Sequence, residues 1–260
     1  MNLRMFQIDA FTDRLFGGNP AAVCPLESWL DDAVMQSIAA ENNLAETAFF
    51  VPNSAEYDLR WFTPATEVDL CGHATLASAW VVFNELAPER KAVTFSTRSG
   101  DLVVHRGGEW LVMDFPSKPA QPCEPPPALL DGLGRAPEAV FATDDYMAVF
   151  ASEDDVLALS PNMQALAQLD RRGVIVTAPS ERADFVSRFF APNVGIPEDP
   201  VTGSAHCTLV PYWSARLGKQ QLHALQVSAR GGELFCEDRG ERIIIAGHAV
   251  KYLEGSIAVS

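Results

Sequence analysis

Trp61-Phe62-Thr63-Pro64 followed by Gly72-His73-Ala74-Thr75 returns later in the chain as Phe189-Phe190-Ala191-Pro192 followed by Gly203-Ser204-Ala205-His206. The offset is 128 residues at the first string (61 to 189) and 131 at the second (72 to 203). A third pair lies 132 apart (96 to 228): Ser96-Thr97-Arg98-Ser99-Gly100-Asp101-Leu102 and Ser228-Ala229-Arg230-Gly231-Gly232-Glu233-Leu234. Aromatic-x-Pro and Gly-small-small strings are each common. Several in one order at a nearly constant offset indicate a duplicated plan.

Outward from these strings, residues 58–63 and 93–96 read as strands, and so does the alternating stretch 101–114 with Gly107-Gly108 as a hairpin turn. Between them, 73–86 reads as a helix apolar almost all round, which belongs inside a fold with strands wrapped about it. The second copy follows with a strand at 185–190, a helix at 204–217 and strands at 225–228, 233–237 and 242–246. Two further segments, 30–42 and 154–170, have mixed surfaces that suit outer helices. Pro116, Pro119, Pro122, Pro125, Pro126 and Pro127 crowd the region between the copies, a composition that resists helix and sheet and acts as a stiff connector. The expected architecture is α+β twice over. The N-terminal domain spans 1–116, with the stretch near 250–260 a candidate strand returning to it; the linker spans 117–127 and the C-terminal domain 128–249.

Among the 260 residues, 34 acidic side chains face 19 basic ones, for a formal net charge of −15. Such a surface repels polyanions, so nucleic acid and anionic membrane are poor partners. The first residues alternate like a strand and lack a leader's apolar stretch and small-residue cleavage site, so the cytoplasm is expected. No apolar run approaches the roughly 18 residues that cross a bilayer. The five cysteines are scattered, odd in number and never spaced as CxxC, so reduced thiols are expected. The five histidines form no HExxH, although the adjacent His206 and Cys207 could offer two ligands. Neither a metal nor a cofactor is called for.

The loops 67–73 and 198–204 lead into the two apolar helices, and each ends in a glycine, Gly72 or Gly203. Unpaired N–H groups in a helix's first turn bind anions, and glycine lets a ligand approach closely. Two such starts could grip one carboxylate in a cleft between the halves, although a helix start alone explains each glycine and Ser204. Proton transfer needs a group that accepts and donates near neutral pH. Glu46, a charge entering the apolar run 47–51, is a candidate for it, with a solvent-facing helix end as the alternative. His73 could orient a substrate, shuttle a proton or satisfy a core hydrogen bond. Asp199, extended before Pro200, could hold an amine or merely shape a turn.

Phe11-Thr12, Gly18-Asn19-Pro20-Ala21-Ala22-Val23, Leu44-Ala45-Glu46-Thr47-Ala48-Phe49, Arg60-Trp61-Phe62-Thr63-Pro64, Cys71-Gly72-His73-Ala74-Thr75, Asp199-Pro200-Val201-Thr202-Gly203-Ser204-Ala205-His206 and Gln226-Val227-Ser228-Ala229-Arg230-Gly231-Gly232 together resemble the phenazine-biosynthesis PhzF family. The resemblance spans nearly the whole chain in order. It implies the diaminopimelate-epimerase-like fold, α+β, with two pseudo-symmetric domains each wrapping strands around a central buried helix. It implies a cofactor-independent isomerase that moves a proton on a small anionic or zwitterionic substrate, and a homodimer. In the family's best-understood member, which isomerises trans-2,3-dihydro-3-hydroxyanthranilate, a glutamate carries the proton between ring carbons. The matching position is Glu46, and the family's histidine, aspartate and serine around the ligand fall on His73, Asp199 and Ser204. Its amide-donating glycines fall on Gly72 and Gly203. Ala45 stands where the family often has serine, which removes a hydrogen-bond donor beside Glu46 and leaves the phenazine substrate open.

Two other readings remain open from the residues. An amino-acid racemase or epimerase would use Cys71, but no thiol precedes Gly203, and Cys207 lies about one helical turn further in. A binding protein that kept the fold and lost the chemistry is the second, since scaffold alone does not fix activity.

Overall fold

The computed structural model describes residues 1–259. The chain divides into two compact units, Met1–Asp114 with the segment from Ala246 onward, and Phe115–Ile245. The first unit runs β1 (Asn2–Ala10), β2 (Asn19–Pro25), α1 (Asp32–Asn42), β3 (Glu46–Pro52), β4 (Tyr57–Phe62), β5 (Glu67–Val68), α2 (Gly72–Val81), β6 (Ala92–Thr97), β7 (Gly100–Gly107) and β8 (Trp110–Pro116). The second runs β9 (Gln121–Pro122), α3 (Pro127–Leu133), β10 (Ala139–Ala142), β11 (Tyr146–Val149), α4 (Glu153–Leu157), α5 (Met163–Leu166), β12 (Val174–Pro179), β13 (Phe185–Ala191), β14 (Ile196–Asp199), α6 (Gly203–Leu217), β15 (Gln221–Gln226), β16 (Gly232–Asp238) and β17 (Arg242–Gly247). The chain then returns to the first unit with β18 (Ala249–Ala258).

In the first unit, β2 is antiparallel to β1 and parallel to β3; β4 is antiparallel to β3 and β5 and parallel to β6; β6, β7 and β8 form a meander. In the second, β11 is antiparallel to β10 and parallel to β12; β13 is antiparallel to β12 and β14 and parallel to β15, which turns back into β16. The same pairing plan is written twice, each time with one buried helix. The first unit gains a long outer strand, β18, antiparallel along β1 from Asn2 to Ala10, where the second has only the two-residue β9 on β10.

α2 is buried because its sequence offers water almost nothing: every residue from His73 to Ala79 is buried, and so is Val81. It packs against β1, β2 and β3. A hydroxyl in such surroundings must find a partner. Thr75 Oγ1 donates to the Cys71 carbonyl at 2.6 Å and Ser78 Oγ to the Ala74 carbonyl at 2.8 Å. The expected helix 73–86 runs to Leu86, but only its part up to Val81 is α-helix. After Val81 the chain makes one wide π turn, Val82–Leu86, closed by Ala87 N–H on the Val82 carbonyl at 2.7 Å, and Pro88 bars continuation. α1 is one-sided, as its mixed sequence suggests: Met35, Ile38 and Ala39 face a core with Cys24, Phe49, Val51 and Phe62.

The second unit's core gathers Leu129, Leu133, Val140, Phe150, Leu166, Val176 and Phe190. The single helix expected over 154–170 is replaced by two short ones, α4 and α5, with Ser160-Pro161-Asn162 between them. Pro161 excludes its predecessor from helix, and Asn162 restarts one by accepting the N–H groups of Gln164 and Ala165. The proline-rich stretch lies along this unit. Ser117 N–H donates to the Glu241 carbonyl, Cys123 N–H to the Val140 carbonyl, and β9 pairs with β10.

α6 anchors through Trp213, which stacks on Phe185 with centroids 5.6 Å apart and donates its indole N–H to Thr177 Oγ1 at 3.0 Å. Pro211 sits inside this helix and supplies no N–H to the Cys207 carbonyl one turn back. That carbonyl instead accepts Lys118 N–H at 2.9 Å.

His206, wholly buried on α6, gives its Nδ1 proton to the Thr202 carbonyl at 2.9 Å, and burial pushes its pKa down to about 4. The native state thus holds the ring neutral where the unfolded chain binds a proton. Stability should be complete above about pH 6.5 and fall as pH drops towards 4, by roughly 3 kcal/mol in total. Urea midpoints of the wild type and His206→Gln between pH 7 and 4.5 check this. The substitution should flatten the slope, and equal slopes would refute the assignment.

Candidate active site

The first-unit residues singled out from the sequence converge. Glu46 opens β3 beside Ala21 of β2, and His73 occupies the first turn of α2. His73 Nε2 lies 3.0 Å from Glu46 Oε2, with Glu46 only 8% exposed and His73 5%. The contact is close but lies off the ring's hydrogen-bonding axis. On the other side of the ring, Nδ1 meets the Asn19 amide nitrogen at 3.1 Å and Cys71 Sγ at 3.5 Å. In the neutral ring Nδ1 accepts from that amide and the proton sits on Nε2, towards the carboxylate; in the imidazolium both nitrogens donate, and the amide turns its oxygen to Nδ1.

Burial opposes a charge on His73, while the Cys71 sulfur and the Glu46 carboxylate favour it, and the balance holds its pKa well above the ordinary imidazole value. Burial, reinforced by Glu46, pushes the Cys71 thiol up to about 11, so sulfur is protonated at neutral pH and the carboxylate is the charge that sustains the imidazolium. The contribution of this pair to stability is complete below about pH 6.5 and is lost as pH rises through the elevated His73 value.

α2 begins without a side-chain cap: Cys71 holds the N-cap position and makes no capping hydrogen bond. The first-turn N–H groups at Gly72 and His73 have no intrahelical acceptor, and they adjoin the Glu46–His73 pair.

The second-unit residues form their own cluster. Asp199 ends β14, is 8% exposed and accepts a hydrogen bond from Thr202 Oγ1 at 2.6 Å. That bond takes the hydroxyl away from capping α6, whose N-cap Thr202 makes no capping contact. Gln226 clamps the turn, accepting Thr202 N–H at 2.8 Å and donating to the Asp199 carbonyl at 2.8 Å. Ser204 accepts from Arg172 at 3.1 Å, and the same guanidinium is held by Asp145 through a 2.9 Å bond from Nε and a 2.5 Å bond from Nη2. Gly203 is the first residue of α6 and is buried.

Asn19, Thr202, Gln226, Arg172 and Asp145 were not singled out as site residues from the sequence. Asn19 carried one signal, a buried-strand amide trapped between Gly18 and Pro20. Arg172 carried none, because the strand that brings it to α6 is remote in sequence. The adjacent His206 and Cys207 do not form a ligand pair: the ring bonds to backbone and the sulfur turns to the Gly203 carbonyl.

The sequence pattern of the family described as phenazine biosynthesis-like protein, PhzC-PhzF, matches residues 8–255. The chain belongs to the PhzF family. An uncharacterized isomerase of Pseudomonas aeruginosa is 56% identical over 257 residues, covering 99% of both chains. A crystal structure of a PhzF-family protein from Enterococcus faecalis superposes with a TM-score of 0.97 at 45% identity, covering all of both chains. At the level of fold alone, a hydroxyproline epimerase from Agrobacterium vitis matches with a TM-score of 0.64 at 10% identity, over 99% of this chain and 93% of that one. The fold is thus the α+β, epimerase-like one, and the PhzF protein described here is an enzyme of the isomerase class. Among its described residues no helix is long and apolar enough to cross a membrane.

Proposed function

We propose that this PhzF protein isomerises a small cyclic or amino-carboxylic acid by moving one proton with its own side chains. The carrying observation is a single carboxylate, Glu46, nearly shut off from water and 3.0 Å from His73 Nε2 at an uncapped helix start. The Glu46 carboxylate takes a proton from a carbon next to the substrate's unsaturation. The C–H electron pair moves into the neighbouring bond, the double bond migrates, and the carboxylic acid, its acidic proton exchanging with solvent while it is held on oxygen, delivers a proton to the distal carbon. Nothing is oxidised, and Glu46 ends as it began. His73 shares the transferred proton's field and fixes the carboxylate, while the Gly72 and His73 N–H groups serve the substrate's anionic group. In this reading Asp199 holds an amine, and Gly203 and Ser204 bind the substrate carboxylate. By likeness to the family, the active form is a cytoplasmic homodimer.

The experiment is exchange in D₂O: cyclic amino-carboxylic acids are incubated with the protein, and deuterium gain at carbon is followed by NMR. Catalysed gain at one carbon of a panel member is expected; a panel bound tightly with no exchange would favour a binding protein instead. A Cys71-based racemase requires an available thiolate, whereas this thiol is buried and held at about 11. Iodoacetamide at pH 7.5 should leave Cys71 unmodified in the folded protein and label it after unfolding, as read by peptide mass. Rapid native labelling would revive the thiol mechanism.

A further inference from the structure

The acid–base cluster has a composition that proton transfer alone does not require. Glu46, Cys71 and His73 each offer a ligand atom, one oxygen, one sulfur and one nitrogen, all within 4.8 Å of one another and all buried. No other such group occurs among the described residues. A carboxylate, a thiolate and an imidazole form a donor set that suits Zn²⁺ and its relatives, and three protein ligands with a fourth position open is the pattern of reactive zinc sites.

The spacing is close to what an ion would impose. Zinc holds ligands at roughly 2.0–2.3 Å, so tetrahedral ligand atoms stand roughly 3.3–3.7 Å apart. His73 Nε2 is 3.0 Å from Glu46 Oε2 and 4.0 Å from Cys71 Sγ, so the first gap opens by a few tenths of an ångström and the second closes by a similar amount, while the Glu46 oxygen and Cys71 sulfur, within 4.8 Å, draw together by up to about an ångström. The frame is stiff, with Cys71 and His73 two residues apart at the start of α2 and Glu46 at the edge of β3. The outer shell is also in place. Asn19 lies 3.1 Å from His73 Nδ1, and with its amide turned to present oxygen it accepts the Nδ1 proton while Nε2 faces the metal.

We propose that Glu46, Cys71 and His73 form a binding site for one thiophilic divalent cation of the Zn²⁺ type, and that the bound ion blocks isomerisation. On binding, the Cys71 S–H bond and the Nε2–H bond of the His73 imidazolium break, both protons leave to solvent, and sulfur, nitrogen and oxygen donate lone pairs to the ion without any change of oxidation state. The occupied carboxylate can no longer accept a proton from carbon. The blocking rests on the reading of Glu46 as proton carrier; the binding does not.

The test uses the whole purified chain, stripped with a chelator and titrated with Co²⁺ and then with Zn²⁺. One equivalent of Co²⁺ should bind with a thiolate-to-cobalt charge-transfer band that Zn²⁺ displaces. Cys71→Ser should remove the band and weaken Zn²⁺ by about 100-fold in isothermal titration, with circular dichroism showing the variant folded. If that variant fails to fold, His73→Gln replaces it, with the same 100-fold weakening expected. Zn²⁺ should also abolish deuterium exchange in the wild type, and EDTA should restore it. A missing band in the wild type, or equal Zn²⁺ affinity in the folded variants, overturns the site. A band together with a wild type that exchanges nothing on any substrate overturns the function proposed above and leaves the site standing, and exchange unaffected by saturating Zn²⁺ overturns the blocking.

Discussion

Glu46→Gln should fold like the wild type and lose roughly 10²- to 10⁴-fold of its solvent-deuterium exchange, the range expected when a general acid–base is removed. The substitution keeps the shape of a side chain that is 8% exposed at the edge of β3, so packing should barely move, while the stability contributed by the Glu46–His73 charge pair is lost. What it removes is basicity. An amide cannot accept the carbon-bound proton, and it no longer provides the negative charge that sustains the His73 imidazolium. The His73 ring should therefore titrate at lower pH in the variant, which NMR of the ring carbons can follow. Loss of exchange together with a lowered His73 titration separates loss of the base from general damage. Unchanged exchange would remove Glu46 from the chemistry.

The largest stability effect is expected at Gly18→Ala. Gly18 has φ +61°, and an added Cβ would lie 2.1 Å from the Ala10 carbonyl oxygen and 2.8 Å from Thr12 Cγ2. The first obstacle is backbone, so no side-chain rotation relieves it. The disfavoured φ and the collision together should reduce unfolding free energy by roughly 3–5 kcal/mol. Gly240→Ala is the control: φ is +81° there, but no atom lies within 4 Å, so only about 1–2 kcal/mol is expected. Denaturant midpoints measure both. Because Gly18 leads directly into Asn19, the folded remainder of Gly18→Ala should also show a displaced His73 ring resonance. A loss at Gly18 no larger than at Gly240 would refute the collision.

Much of this architecture was legible in the sequence because hydrophobic run length and glycine position carry it. The starts at Gly72 and Gly203 follow from glycine position, and the buried course of α2 from apolar residues on every face, whereas α6 is buried over its first half and at Trp213. The break at Ser160-Pro161-Asn162 was equally written there, but an amphipathic pattern over 154–170 outweighed a single proline. The π turn after Val81 was not legible, because it depends on where the chain must turn before Pro88. At the site, Glu46 was visible as a charge at the head of an apolar strand. Its partner Asn19 and the Arg172–Ser204 bond depend on strand register, which residue types alone do not fix.

The strand β18 bears on how the protein is made. Unit 2 is an uninterrupted stretch of chain, whereas unit 1 lacks the outer partner of β1 until residues beyond 245 have been synthesised. On the ribosome, the later-born module can therefore finish folding before the earlier-born one is sealed. Nascent β1 waits with an unpaired edge, and the polypeptide carrying Glu46 and His73 matures last.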